Sequence, residues 1–239
     1  MLRRCDGRGP DALRPVTITR NFVKTASGSV LVSFGDTRVI CTATFESKTP
    51  AWMRGQNRGW VTAEYAMLPG SAQTRIPRDS VSKGRAQEIS RLIGRSLRAV
   101  TNLKAMGECT VTVDCDVIQA DGGTRSAAVT GAWVALHDAF NLSVQSGYLE
   151  ELPLKGHCAA VSVGIVGAVP MLDLCYREDA DASVDMNLVM NDRGDLIEIQ
   201  GTAEEEPFPV KILEQLVALG TKGTRELIAI QKAAIAYER

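Results

Sequence analysis

Between Thr110 and Arg125 the sequence changes its period at one fixed point. Cys109-Thr-Val-Thr-Val-Asp-Cys115 alternates in steps of two, the pattern of a strand, and the strand reading runs from Thr110 to Ile118. Gln119-Ala120-Asp121-Gly122-Gly123-Thr124-Arg125 then breaks the alternation, and the next residues are rich in Ala, Val and Leu, as in a buried helix. A strand that enters a helix through two glycines requires both element types to share one core.

The flanking segments extend this pattern. Val16 to Phe45 alternates β-branched and apolar residues around a Gly35-Asp36 turn, which predicts antiparallel strands. Residues 47 to 84 are dominated by Gly, Ser, Pro, Arg and Gln, with one apolar island from Gly59 to Leu68, so most of this stretch reads as loop. Ile89, Leu92, Ile93, Leu97 and Val100 form a helical stripe, with Arg91, Arg95 and Arg98 on the other face. A solvated face is the common fate of such arginines, and a contact with a phosphate backbone is the rarer one. Strands are expected at 159–166, 171–176, 186–190 and 196–201, with an acidic connector from Arg177 to Asp185 and a turn at Asp192-Arg193-Gly194-Asp195. The last helix spans Val210 to about Tyr237, with a break expected at Gly220 or Gly223.

With 45% hydrophobic residues in 239 the chain can bury a substantial core. No linker or repeat interrupts it, so residues 1–239 read as a single α+β domain, with helices packed on mixed or antiparallel sheets. The longest charge-free apolar run, Cys158 to Leu172, carries Gly164, Gly167 and Pro170 and falls short of the ~20 residues of a membrane span. It predicts a buried hairpin. No apolar segment follows the basic residues at the start, so a cytoplasmic protein without a membrane partner is expected.

The net charge of -1 conceals a division. Residues 1–104 carry 18 Lys+Arg against 7 Asp+Glu, a net of +11, while residues 105–239 carry 9 against 21, a net of -12. A basic half suits a polyanion and an acidic half suits a divalent cation, although mutual neutralisation explains the same division. Gly122-Gly123-Thr124-Arg125 offers close backbone approach, free helix N–H groups, a hydroxyl and a guanidinium, which together suit a phosphate-sized anion. A plain turn before a helix-opening Thr accounts for the same residues. Neither a nucleotide P-loop nor a Gly-x-Gly-x-x-Gly is present.

Glu178-Asp179-Ala-Asp181-Ala-Ser-Val-Asp185 folds back between strands, so Asp179 and Asp185 can converge on a hard cation, with magnesium the natural choice. A solvated acidic turn is the alternative. A calcium loop is excluded by Val184 and Met190 at its sixth and twelfth positions. Arg75, Arg78, Lys83 and Arg85 form a basic segment suited to RNA phosphates, with Arg85 directed inward at a helix start as a second ligand for a small anion. The six cysteines lie in strand-like runs without Cys-x-x-Cys pairs, which predicts buried reduced thiols rather than a zinc site.

Seven ordered blocks carry a resemblance across nearly the whole chain. They are Asp-Gly-Arg-Gly-Pro-Asp-Ala-Leu-Arg-Pro-Val (6–16), Phe-Gly-Asp-Thr-Arg-Val-Ile-Cys-Thr-Ala (34–43), Gly-Trp-Val-Thr-Ala-Glu-Tyr-Ala-Met-Leu-Pro (59–69) and Glu-Ile-Ser-Arg-Leu-Ile-Gly-Arg-Ser-Leu-Arg (88–98). The others are Asp-Cys-Asp-Val-Ile-Gln-Ala-Asp-Gly-Gly-Thr-Arg (114–125), Asp-Met-Asn-Leu-Val-Met (185–190) and Glu-Ile-Gln-Gly-Thr-Ala-Glu (198–204). The chain resembles the ribonuclease PH family, phosphate-dependent exoribonucleases that trim the 3' ends of transfer RNA precursors.

The resemblance implies that Arg85, Gly123, Thr124 and Arg125 hold inorganic phosphate as co-substrate. It implies that Asp179 and Asp185 serve chemistry assisted by a divalent metal, Mg by expectation, and that Arg75 and Arg78 grip RNA. It also implies a ring-forming fold shared with polynucleotide phosphorylase and exosome ring subunits, and a homohexamer built as a trimer of dimers. An inactive RNA-binding ring subunit is the nearest rival, and the presence of Asp179, Asp185, Arg85 and Gly-Gly-Thr-Arg argues against it. A metal-dependent hydrolase would use water in place of phosphate.

Overall fold

The computed structural model describes residues 4–79, 84–204 and 206–236. Strands β1 (Val16–Arg20), β2 (Gly28–Phe34) and β3 (Thr37–Glu46) form the antiparallel meander expected from their alternation, turning at Gly35-Asp36. The apolar island becomes strand β4 (Trp60–Met67), and helix α1 (Gly84–Ala99) carries the chain across to β5 (Thr110–Gln119). β4 and β5 pair in parallel, giving a five-stranded sheet ordered β1-β2-β3-β5-β4. The sequence gives 59–68 no pairing partner, because its only signal is a short apolar run whose register partners lie fifty residues further on.

Helix α2 (Thr124–Gln145) follows the glycine loop. Ala127, Ala128, Val129, Ala132, Val134, Ala135 and Leu136 are all fully buried, so this helix is apolar nearly all round and lies in the core rather than on its surface. On one side it meets β2, β3 and β5, and on the other β6 (Cys158–Val166). β6 belongs to a second, antiparallel sheet ordered β7-β6-β8-β9, with β7 (Val169–Leu172), β8 (Ala182–Asn191) and β9 (Leu196–Ala203). The expected hairpin in Cys158 to Leu172 is the β6–β7 pair. One hydrophobic cluster, from Val30 and Val113 through Trp133 to Val161 and Leu188, joins the two sheets.

Two expectations need correction. The strand predicted over 171–176 ends at Leu172, because Asp173 takes a positive φ of 55° and Tyr176–Ala180 winds into a short helix, α3. The last helix, α4 (Val210–Ala236), has no break. Its glycines serve close approach instead: a Cβ at Gly220 would lie 2.7 Å from Leu188, and one at Gly223 2.7 Å from Leu172, so the helix settles directly on the second sheet. Among the described residues no helix is long and apolar enough to cross a membrane.

The N-terminal segment is bound to this frame by buried charge. Asp173 is fully buried and accepts hydrogen bonds from Arg14 Nε at 3.0 Å and Nη2 at 2.7 Å, from the Arg14 backbone N–H at 2.8 Å, and from Arg8 Nη1 at 3.1 Å. Burial alone would raise the Asp173 carboxyl, but the Arg14 guanidinium and backbone N–H, with Arg8, hold it below the usual carboxylate range. Its contribution to stability is therefore present at neutral pH and fades as pH falls through the carboxylate range. Removing one partner of such a pair strands the other charge in a dry interior. Asp173→Asn is expected to cost about 3 to 5 kcal/mol in urea unfolding at pH 7, with the deficit narrowing towards pH 3. A change under 1 kcal/mol would show that Arg14 is solvated in the variant or does not depend on Asp173.

Candidate active site

The glycine loop is shaped by contacts on three sides. Gly122 and Gly123 take φ of 71° and 64°, and a Cβ at Gly122 would meet the Cys175–Tyr176 backbone at 2.7 Å. Arg14 Nη1 donates to the Asp121 carbonyl at 2.6 Å, and Thr37 Oγ1 donates to the Gly122 carbonyl at 2.6 Å. Gly123 is the N-cap of α2, and no side chain caps the helix, so its first backbone N–H groups point out of the loop with the positive end of the helix dipole behind them. Thr124 is buried, and its Oγ1 accepts a 2.9 Å hydrogen bond from the Tyr65 hydroxyl on β4, which frees the threonine hydroxyl to donate elsewhere. Burial raises the Tyr65 phenol, keeping it protonated as that donor.

The carboxylates arrive from β8 of the second sheet and from the helix α3 that precedes it. Along β8, Val184, Met186 and Leu188 face the core, so Asp185 and Asn187 share the opposite face. Asp179 sits on α3, one turn below the Cys175 N-cap, where its N–H bonds the Cys175 carbonyl at 2.9 Å. The two carboxylates converge as the sequence reading expected, but a helical turn and a strand bring them together rather than an open connector. Glu178, in the same acidic run, has a different role: it pairs with Arg4 Nη2 at 2.6 Å, and that pairing holds it at about 2 against its burial. Asp181 is exposed.

Six of the expected site residues line one cavity of about 450 Å³: Arg85, Gly123, Thr124, Arg125, Asp179 and Asp185. Burial, then the Asp179 carboxylate, pushes Asp185 up to about 6, while Arg125 opposes the shift. Burial also raises Asp179, with Arg85 and Arg125 pulling the other way. Asp185 Oδ1 is buried without a hydrogen-bond partner. Arg125 crosses the cavity mouth, with Nη1 donating to Gln200 Oε1 at 2.8 Å and reaching Glu88 Oε1 at 3.2 Å. Arg85, in the first turn of α1, lines the cavity as an exposed side chain rather than an inward-buried one.

Arg75 and Arg78 do not line this cavity. Both are exposed, and Arg78 faces a separate recess along α1 with Arg91, Arg98 and Trp60. Lys83 lies outside the described residues. The α1 arginines have mixed fates: Arg91 is exposed, Arg95 pairs with Glu198 at 2.6 Å, and Arg98 stacks 4.3 Å from the Trp60 ring. Sequence reasoning missed Tyr65, Ser162 and Asn187. Asn187 was within reach, since it follows Asp185 at strand period, and Ser162 is its register partner on β6.

The family model described as "3' exoribonuclease family, domain 1" matches residues 12–140, and the one described as domain 2 matches residues 157–235. The chain is also 56% identical to "Ribonuclease PH" of Methylobacterium radiotolerans over 232 residues, 96% of this chain and 98% of that protein. The chain belongs to the ribonuclease PH family. Among solved structures, a chain of the Archaeoglobus fulgidus exosome with RNA bound to the active site superposes with TM-score 0.81 at 23% identity, covering 94% of this chain and 91% of the other. Rice Rrp46 does so with TM-score 0.79 at 20% identity, over 97% of this chain and all of that one. At these identities the structural likeness speaks to the ribonuclease PH fold alone.

The Asp185 shift carries a pH signature. A raised carboxyl stabilises the fold below its unfolded value near 3.8, and that contribution is lost as pH climbs through about 6. With chelator present, Asp185→Asn is expected to gain about 1 to 2 kcal/mol over the parent at pH 8 and little at pH 4, read from melting curves across that range. A gain independent of pH would remove Asp185 as the titrating group.

Proposed function

We propose that this chain is a phosphate-dependent 3'-5' exoribonuclease that trims transfer RNA precursors and releases nucleoside 5'-diphosphates, using the 450 Å³ cavity as its active site. The observation that carries this reading is that the residues suited to an anion cradle and a pair of raised carboxyls line one cavity. Inorganic phosphate rests on the N–H groups at the start of α2, the Thr124 hydroxyl, and the guanidinium groups of Arg125 and Arg85. These donors offset its repulsion from the RNA phosphate and aim one oxygen at the last phosphodiester. That oxygen bonds to the terminal phosphorus, the bond to the penultimate 3' oxygen breaks, and the shortened strand leaves after its 3' oxygen takes a proton. Reversal of the same steps would add a nucleotide and release phosphate.

Asp179 and Asp185 fit a divalent cation. The unpartnered buried Oδ1 of Asp185, and the burial and Asp179 carboxylate that raise it, are relieved when a positive charge lies beside them. Magnesium bound there would offset negative charge gathering on the reacting oxygens. Arg75 and Arg78, exposed and outside the cavity, grip the RNA backbone at a distance from the reacting bond. Residues 1–239 act as one domain, a reading supported by the hydrophobic cluster that joins the two sheets, and six copies assemble as three dimers in the cytoplasm.

A hydrolase would need water where this cavity offers an anion cradle. Incubating end-labelled RNA with the protein and magnesium, with and without phosphate, separates the two. Phosphate dependence and nucleoside diphosphate products are expected, with at least about a hundredfold loss of rate when phosphate is withheld. Nucleoside monophosphates, or a rate indifferent to phosphate, would overturn the reading.

A further inference from the structure

Cys5 and Cys175 are 170 positions apart in the chain, yet their Sγ atoms lie 3.1 Å from each other. Neither is in a strand, contrary to the sequence expectation: Cys5 sits in an exposed N-terminal turn, and Cys175 is the buried N-cap of α3. The backbone on both sides of the contact is pinned. Arg4, next to Cys5, donates from Nε and Nη2 to both oxygens of Glu178, at 2.8 and 2.6 Å, and the Cys175 N–H donates to Glu178 Oε2 at 3.0 Å. Both thiols open onto a recess of about 360 Å³ that admits a small oxidant. Gln73, Asp121 and Tyr176 line this recess and the active-site cavity alike.

Glu178 completes a trio of ligand atoms within 4.8 Å, which raises the alternative of a metal. Its oxygens are already committed to Arg4, Arg8 and the Cys175 N–H, and two guanidinium groups repel a cation from that position. The two sulfurs are left facing each other.

We propose that Cys5 and Cys175 are a redox-modification site, closing reversibly to a disulfide that clasps the N-terminal segment to α3 beside the active site. The oxidant is a peroxide. The exposed Cys5 thiolate attacks one peroxide oxygen, the O–O bond breaks, and the departing hydroxide takes up a proton to become water. Cys175 sulfur then displaces a second water from the Cys5 sulfenic acid, its proton leaving with that oxygen. Two thiols lose two electrons and hydrogen peroxide becomes two waters. A small dithiol reverses the step. The bond cross-links positions far apart in the chain, so it restricts the unfolded ensemble strongly.

The test treats the full chain with a small excess of hydrogen peroxide and maps unreduced peptides by mass spectrometry. A Cys5–Cys175 linked pair is expected, with titratable thiols in denaturant falling from six to four and returning with dithiothreitol. The melting temperature should rise by about 5 to 10 °C on oxidation, and neither Cys5→Ser nor Cys175→Ser should show that rise. Six surviving thiols would overturn the proposal. So would an equal thiol loss in Cys5→Ser, which would point to Cys41 and Cys115, paired across β3 and β5. Protection of both thiols by one equivalent of zinc would overturn it in favour of a metal site.

Discussion

The Asp173 carboxylate, buried under two arginines, is the interaction on which the geometry of the cavity depends. Arg14 grips it with Nε, Nη2 and its own backbone N–H, while Nη1 of the same guanidinium holds the Asp121 carbonyl. One side chain thus couples the end of β7 to the glycine loop before α2. Asp173 N–H in turn donates to the Ser162 carbonyl on β6 at 2.7 Å, and Leu174 N–H to Ser162 Oγ at 3.0 Å. The positive φ at Asp173 redirects the chain from β7 into α3, which carries Asp179. This knot adds to the shared core in holding the glycine loop before α2 against the turn that leads into α3 and Asp179.

That arrangement gives the division of charge a physical meaning. The basic half contributes Arg85 and the acidic half Arg125, Asp179 and Asp185 to one cavity, while Arg14 of the first pairs in the interior with Asp173 of the second. Of the two alternatives in the sequence, neutralisation within the fold accounts for part of the charge. Arg14 with Asp173 and Arg4 with Glu178 neutralise each other in the interior, whereas Arg85 and Arg125 line open space where an anion fits. Burial and the Asp179 carboxylate keep the Asp185 carboxyl raised, and Arg125 opposes them only in part. Sites that retain such uncompensated charge are where catalysis is usually found.

Local periodicity made much of this legible. The α1 stripe, the first meander, the strand–glycine–helix passage and the β6–β7 hairpin all follow from spacing within a dozen or so residues. Contacts that join distant segments left no such trace. Nothing near Arg14 names Asp173, nothing near Cys5 names Cys175, and the parallel partner of β4 lies beyond a whole helix. Gly220 and Gly223 were misleading because a glycine that breaks a helix and one that lets a helix approach a sheet look the same in sequence. For the candidate site, residue types and spacing singled out the residues and the family resemblance gave them roles, while the structure supplied their supports: Tyr65 for Thr124, Gln200 for Arg125, and the α3 turn for Asp179.

Under the proposed function, phosphate binds at the cradle and the carboxylates do not hold it. Calorimetric titration of inorganic phosphate into the parent chain, Arg125→Ala and Asp185→Asn tests it without any RNA. Loss of a charge-assisted fork should weaken phosphate by about 10- to 100-fold in Arg125→Ala, while Asp185→Asn, which removes a nearby negative charge, should bind phosphate at least as tightly as the parent. Equal affinity in the parent and Arg125→Ala, or loss of binding in Asp185→Asn alone, would contradict the account.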